Sequence, residues 1–130
     1  MEHLIHNNII VGKSPIHGYG VFATEDISDG VVFEEAHHLP CEGYHVDKLP
    51  KEIREYVFRW PLRGPTSRPT VVLGYGMIYN HRDIPNATWI TDEDRGLVVF
   101  SAIKDIKKGE EIFMSYGTEE YFKHVSYERK

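Results

Sequence analysis

The apolar residues of this chain come in short runs, each ended by glycine, proline or charge, and this limits what it can fold into. Asn8-Ile9-Ile10-Val11, Val21-Phe22-Ala23, Val31-Val32-Phe33 and Ile112-Phe113-Met114 are rich in β-branched and aromatic side chains, which suit a pleated, half-buried surface. Turn signals separate them. Gly12 to Gly20 contains Pro15, Ser28-Asp29-Gly30 is a turn, and Asp94-Arg95-Gly96 joins strands over 87–91 and 97–103 as a hairpin. Val71-Val72-Leu73 and Met77-Ile78-Tyr79 add two more short segments, and Pro61 to Pro69 reads as loop. Only Asp47 to Trp60 changes period: Leu49, Ile53, Tyr56, Val57 and Trp60 recur at helical spacing. Asp47 is placed to cap that helix, Pro50 falls in its first turn, and Pro61 stops it. The pattern predicts a mostly β (α+β) domain of small irregular sheets with one main helix.

A chain of 130 residues reads as one domain, 1–130, with its core at about 8–117 and a tail at 118–130 that is charged and aromatic. The N-terminus has an acidic residue at once and no apolar stretch, so no cleaved secretory signal is expected. No apolar run approaches the roughly 20 residues of a membrane span. The single Cys41 rules out an intrachain disulfide framework and fits a reducing, intracellular compartment. A net charge of -5 shows no basic face for direct nucleic-acid binding and favours encounters with basic partners. One internal echo stands out: Ala23-Thr24-Glu25-Asp26-Ile27-Ser28-Asp29-Gly30 resembles Ala102-Ile103-Lys104-Asp105-Ile106-Lys107-Lys108-Gly109.

Three segments offer chemistry. In Gly18-Tyr19-Gly20 the glycines let backbone approach a ligand closely, although a lone G-x-G is commonly a plain turn. Asn80, in Asn80-His81-Arg82-Asp83-Ile84-Pro85-Asn86-Ala87, carries both a donor and an acceptor that suit an amino-acid-like ligand, or an Asx-turn. Tyr116 follows an apolar strand, where a phenol is either a site group or a half-buried core tyrosine. Adjacent residues on a strand point to opposite faces, so neither Glu34-Glu35 nor Glu110-Glu111 is a natural dyad, and both pairs are expected to be solvated or turn-adjacent charge. His37-x-x-x-Cys41-x-x-x-His45 would align metal ligands on one helical face, but Pro40 and Gly43 interrupt such a helix, so no metal is expected.

Taken together and in order, these segments resemble the SET domain over essentially the whole chain. They are Gly18-Tyr19-Gly20-Val21-Phe22-Ala23, Asn80-His81 and Gly109-Glu110-Glu111-Ile112-Phe113-Met114-Ser115-Tyr116-Gly117. Lys13-Ser14-Pro15, Tyr56-Val57-Phe58 and Gly74-Tyr75-Gly76-Met77-Ile78-Tyr79 agree as flanks. The likeness is to the minimal SET proteins of viruses and bacteria, which lack cysteine-rich zinc modules. It implies several short curved sheets, a C-terminal knot-like threading, and methyl transfer from S-adenosylmethionine to lysine. His17-Gly18-Tyr19 would meet the methionine part of that cofactor, Asn80 its amino-acid end, and His81 its adenine through backbone groups. Tyr121 or Phe122 would cover the adenine or the lysine channel. Tyr116 would place its hydroxyl at the reacting centre, with Trp89 and Tyr56 as channel aromatics. The residue after Asn80-His81 is usually serine in the family and is Arg82 here.

The resemblance further implies a lysine-containing, basic protein substrate such as a histone, in the cytoplasm or a nucleus, and it admits a homodimer. The competing reading is a non-catalytic SET-like module that binds a peptide or S-adenosylmethionine.

Overall fold

The computed structural model describes residues 3–41, 45–54, 56–61 and 64–115. Among the described residues there are three small sheets. The first has β1 (Ile9–Lys13), β2 (Tyr19–Ala23), β10 (Glu111–Met114) and β7 (Asn80–His81) in the order β1-β2-β10-β7. The second has β3 (Val32–Ala36), β9 (Leu97–Ala102) and β8 (Ala87–Asp92) in the order β3-β9-β8. The third has β4 (His38–Pro40), β6 (Arg68–Val72) and β5 (Phe58–Trp60) in the order β4-β6-β5. All pairings are antiparallel except β10 with β7. One core joins the sheets, with Phe33, Phe58, Tyr79, Trp89, Phe100 and Ile112 inside it.

The strands expected at 8–11, 21–23, 31–33, 87–91, 97–103 and 112–114 are present, and Gly96 turns the β8–β9 hairpin at φ 68°. The helix is much shorter than its period suggests. Helix α1 covers only Lys51–Arg54 after a single 3-10 turn at Val46–Lys48, and α1 buries none of its own residues. The chain then becomes strand, because Phe58, Arg59 and Trp60 pair with Thr70, Pro69 and Arg68. Val57 and Phe58 are both buried, and Trp60 stacks on His38 at 4.0 Å. Aromatic side chains that gain a sheet partner on both backbone and ring override a weak helical period.

Pro69 belongs to β6, the middle strand, rather than to a loop. Its carbonyl accepts from Cys41 N at 2.9 Å, so its nitrogen also faces that side, just past the end of β4. The missing donor therefore falls where pairing ends. Met77-Ile78-Tyr79 is not a strand. Residues 73–78 form successive turns, with Ile78 N bonded to Tyr75 O at 2.8 Å and Gly74 at φ 69°.

The two echoing segments lie against each other. Ile27 and Ile106 exchange backbone hydrogen bonds of 2.7 and 2.8 Å. Gly30 N donates to Ala102 O at 2.8 Å, and Gly109 N donates to Ala23 O at 2.8 Å. Asp29 N donates to Asp105 Oδ1 at 2.9 Å, and Lys108 N to Asp26 Oδ1 at 2.8 Å. Exchanging the segments position for position maps each bond onto its counterpart. Gly30 and Gly109 share the same left-handed backbone, at φ 85° and 87°. This local two-fold pairing ties the start of β3 to the start of β10, which carries the site.

Residues 116–130, including the segment expected to thread the C-terminus, lie outside the described residues. Among the described residues no helix is long and apolar enough to cross a membrane.

Candidate active site

The three motif segments meet in the first sheet. Strand β10 is the hub: Glu111 and Ile112 pair with Phe22 and Val21 on one side, and Phe113 and Met114 pair with Asn80 and His81 on the other. Before β2, Ser14 Oγ accepts from Ile16 N at 3.0 Å and His17 N at 3.3 Å, and Ser14 N bonds Gly18 O at 2.8 Å. Gly18 closes that turn at φ 49°. The turn aims the His17 and Tyr19 carbonyls at the end of β7.

Asn80 is buried there. Its Nδ2 donates to His17 O at 3.0 Å, Tyr19 O at 3.3 Å and Glu111 Oε2 at 2.8 Å. All three partners are acceptors, which assigns the amide nitrogen to that side and the carbonyl Oδ1 to the other. The remaining Glu111 oxygen accepts from Ser14 Oγ at 2.7 Å. A Cβ built on Gly20 would overlap Glu111 Oε2 and lie 2.9 Å from Asn80 Nδ2. Gly20 thus permits the close approach of Glu111 and Asn80, which a side chain there would displace, whereas Gly18 is favoured by its backbone conformation.

The loop after β7 is sewn to β10 as well. Asn86 Oδ1 accepts from Phe113 N at 2.7 Å, and its Nδ2 donates to Glu111 O at 2.9 Å, so a side-chain amide stands in for a peptide group. Arg82 N donates to Met114 O at 3.0 Å, and its exposed guanidinium lies over the Phe113 ring, 4.0 Å from the centroid. That cation–π seat accommodates the arginine outside the buried network. His81 is partly buried, with Nε2 at 3.0 Å from Asp83 Oδ1.

The SET domain family model matches residues 18–117. The chain belongs to the SET-domain family of protein-lysine methyltransferases. It is 29% identical over 107 residues to a histone-lysine N-methyltransferase, H3 lysine-37 specific, of Schizosaccharomyces pombe, covering 81% of this chain and 70% of that protein. A candidate histone methyltransferase of Plasmodium falciparum superposes with a TM-score of 0.69 at 30% identity, over 87% of this chain and 96% of that one. The Neurospora SET domain protein DIM-5, a histone lysine methyltransferase, superposes at 0.68 over 85% of this chain and 52% of that one; at 19% identity it supports the fold alone. None of these relatives bears on the likeness to minimal viral and bacterial members.

S-adenosylmethionine, the family's cofactor, ends in an ammonium and a carboxylate. The converging His17 and Tyr19 carbonyls of this SET domain are acceptors of the kind an ammonium needs, and the absent Gly20 side chain lets Glu111 and Asn80 close up beside them. The residues present therefore fit the group. His17, Gly18, Tyr19, Asn80 and His81 fall together at one end of the first sheet. Trp89 is 7% exposed and packs edge-on against Phe58 at 4.7 Å, within the core. Tyr56 is half-buried, just before Val57. Tyr116, Tyr121 and Phe122 lie outside the described residues.

The glutamate pairs, expected to be solvated or turn-adjacent, are not solvated at two positions. Glu111 is 8% exposed and Glu34 only 1%. Glu34 Oε1 accepts from Tyr79 Oη at 2.7 Å and Oε2 from Tyr75 N at 2.8 Å. Alternation holds: neighbouring Glu35 points to the other face, where Ile5 N and Arg95 partner and largely cover its side chain. Burial of one member of each pair was hidden because alternation says that the faces differ, not which face is inside. The glycines were the available signal: Gly20 and Gly74 both lie where a Cβ would meet one of these carboxylates.

The histidine cluster is not helical, since His38 begins strand β4. Its Nδ1 is 2.7 Å from Thr70 Oγ1, and burial, followed by the nearby His37, pushes its pKa down. Among the described residues no three His, Cys, Asp or Glu side chains group as metal ligands.

Proposed function

We propose that this SET domain transfers a methyl group from S-adenosylmethionine to the ε-amine of lysine in a basic protein, with histones as the first substrates to test. The convergence of three motif segments on Asn80 supports this reading above any other observation. The cofactor supplies an electrophilic methyl on a sulfonium sulfur. His17, Gly18 and Tyr19 would hold its amino-acid end by backbone groups, with Asn80 presenting Oδ1 and His81 presenting backbone to the base. Tyr121 or Phe122 would cover it. Tyr56 and Trp89 would form aromatic wall around the lysine.

Lysine is protonated in water, with a pKa of about 10.4, and an apolar aromatic channel disfavours the cation. No described side chain is a clear general base, so proton loss to water before or during entry is the simplest route. The Tyr116 hydroxyl would orient the neutral amine in line with the methyl, and backbone carbonyls would add weak C–H···O contacts. Alignment supplies most of the acceleration. The curved sheets and threaded C-terminus of the family belong to the same reading.

Calorimetry with S-adenosylmethionine, followed by labelled-methyl transfer to histones and other lysine-rich proteins, tests the proposal. Binding together with lysine methylation supports it. Binding with no methylated product would instead identify a non-catalytic module.

A further inference from the structure

Glu34 sits on the second sheet, away from the motif segments, yet its carboxylate reaches the chain that enters β7. That chain leaves the third sheet at the end of β6, turns through 73–78, and arrives at Tyr79 and Asn80 in the first sheet. Glu34 grips both ends of this connection, through Tyr75 N and Tyr79 Oη. Gly74 makes the grip possible, since a Cβ there would overlap Glu34 Oε2. The Tyr79 ring is 1% exposed and packs against Phe100 at 4.9 Å and Phe33 at 6.0 Å, so its hydroxyl has little freedom. His6, whose backbone pairs beside Glu34, packs edge-on against Tyr75 at 4.5 Å and closes the far side.

A bare carboxylate is an expensive group to bury for packing alone, where an apolar side chain would serve. An acceptor-only group that collects one backbone and one hydroxyl donor is well suited to setting the path of a turn. We propose that Glu34 is a positioning residue for the cofactor site: by clamping Tyr75 and Tyr79 it sets where Asn80 and His81 enter β7. The inference rests on the proposed function for its ligand, but the clamp itself has a ligand-free readout.

The test compares Glu34→Ala, Glu34→Gln and Tyr79→Phe with wild type, using S-adenosylmethionine as the probe. Glu34→Ala and Tyr79→Phe raise the cofactor Kd and KM about tenfold, as expected when a buried acceptor or its donor loses its partner, while kcat at saturating cofactor changes little. The two substitutions are non-additive in Kd. Glu34→Gln recovers part of the affinity, because its carboxamide oxygen still accepts from Tyr75 N while its N–H meets the Tyr79 hydroxyl, which must turn to accept. Thr70→Val, which loses a buried bond to His38 in the third sheet, costs stability without changing Kd. If Glu34→Ala does not fold, Tyr79→Phe carries the test, since it keeps the ring packing.

Unchanged Kd in a folded Glu34→Ala or Tyr79→Phe protein overturns the inference. A wild-type protein that fails to bind S-adenosylmethionine overturns the proposed function instead. In that case amide exchange decides the clamp: it accelerates at residues 75–81 in Tyr79→Phe if Glu34 holds the turn, and unchanged exchange there refutes the clamp.

Discussion

Glu111 Oε2 accepts a 2.8 Å hydrogen bond from Asn80 Nδ2, and through it one side chain joins the last strand of the first sheet to the residue proposed to hold the cofactor. The partner on the other oxygen, Ser14 Oγ, donates too, because its own acceptor capacity is taken by Ile16 N and His17 N. Both neighbours of Glu111 are donors, so the position calls for a group that only accepts.

Glu111→Gln follows directly. Its carboxamide must present an N–H to one of two donors, leaving a buried mismatch that costs about 1–3 kcal/mol. Affinity for S-adenosylmethionine should fall roughly tenfold or more in proportion. Calorimetry at matched protein fold, checked by circular dichroism, decides this; an affinity equal to wild type would show that Asn80 does not depend on the carboxylate.

Two glycines in neighbouring strands should respond differently to one methyl group. Gly20→Ala drives a Cβ into Glu111 and toward Asn80, so those side chains must shift; it should lower the melting temperature and weaken cofactor binding. Gly12→Ala meets only the Phe22 ring edge at 3.4 Å and should fold and bind normally. Equal behaviour of the pair in thermal denaturation and calorimetry would contradict the close-approach argument.

Tyr116→Phe should keep cofactor affinity and stability but lose most methyl transfer, since the change removes only a hydroxyl. A radiolabelled-methyl assay with lysine-rich proteins measures it. Turnover at the wild-type rate would remove Tyr116 from the reacting centre.

Burial raises the pKa of Glu34 above the ordinary value of 4.5, against the opposing effects of the Tyr79 and Tyr75 hydrogen bonds and of His6. A folded pKa above the unfolded one means that the native state binds more protons between the two values. The contribution to stability is therefore fully present below about pH 4.5 and is lost as pH rises through the folded pKa. Glu34→Gln removes that titration. The unfolding free energy of wild type minus that of Glu34→Gln, from urea titrations, should fall as pH is raised from 4.5 toward neutrality. A difference that stays flat or climbs would mean that the buried carboxylate is not disfavoured.

Asp26 and Asp105 occupy matching places in the two echoing segments; Asp26 accepts from Lys108 N and Asp105 from Asp29 N, each in the opposite segment. Alanine at either should cost about 1 kcal/mol or less, the usual net worth of one hydrogen bond. The two costs should be similar, as the symmetry of the pairing requires, and chemical denaturation measures both.

The short apolar runs, the turn glycines and the β8–β9 hairpin were legible in the sequence because alternation and turn chemistry are local properties. So were the three motif segments and their order, which carry the family resemblance. The fate of Phe58, Arg59 and Trp60 was not legible. Their spacing fits a helix, and only the presence of β6 alongside makes strand the better state. Nor could the sequence say that Glu111 bonds Asn80; the resemblance brings only Tyr19 and Asn80 to one end of the cofactor.

The sequence alone determined the residue types available to the site, the short strands that carry them, and the segments that echo each other. The tertiary structure alone decided which of each adjacent glutamate pair is buried, where Arg82 lies, and which atoms Asn80 bonds. Those outcomes depend on what stands opposite each strand face once the sheets have packed. A local pattern specifies that the faces alternate; contact with other sheets determines which one leaves water.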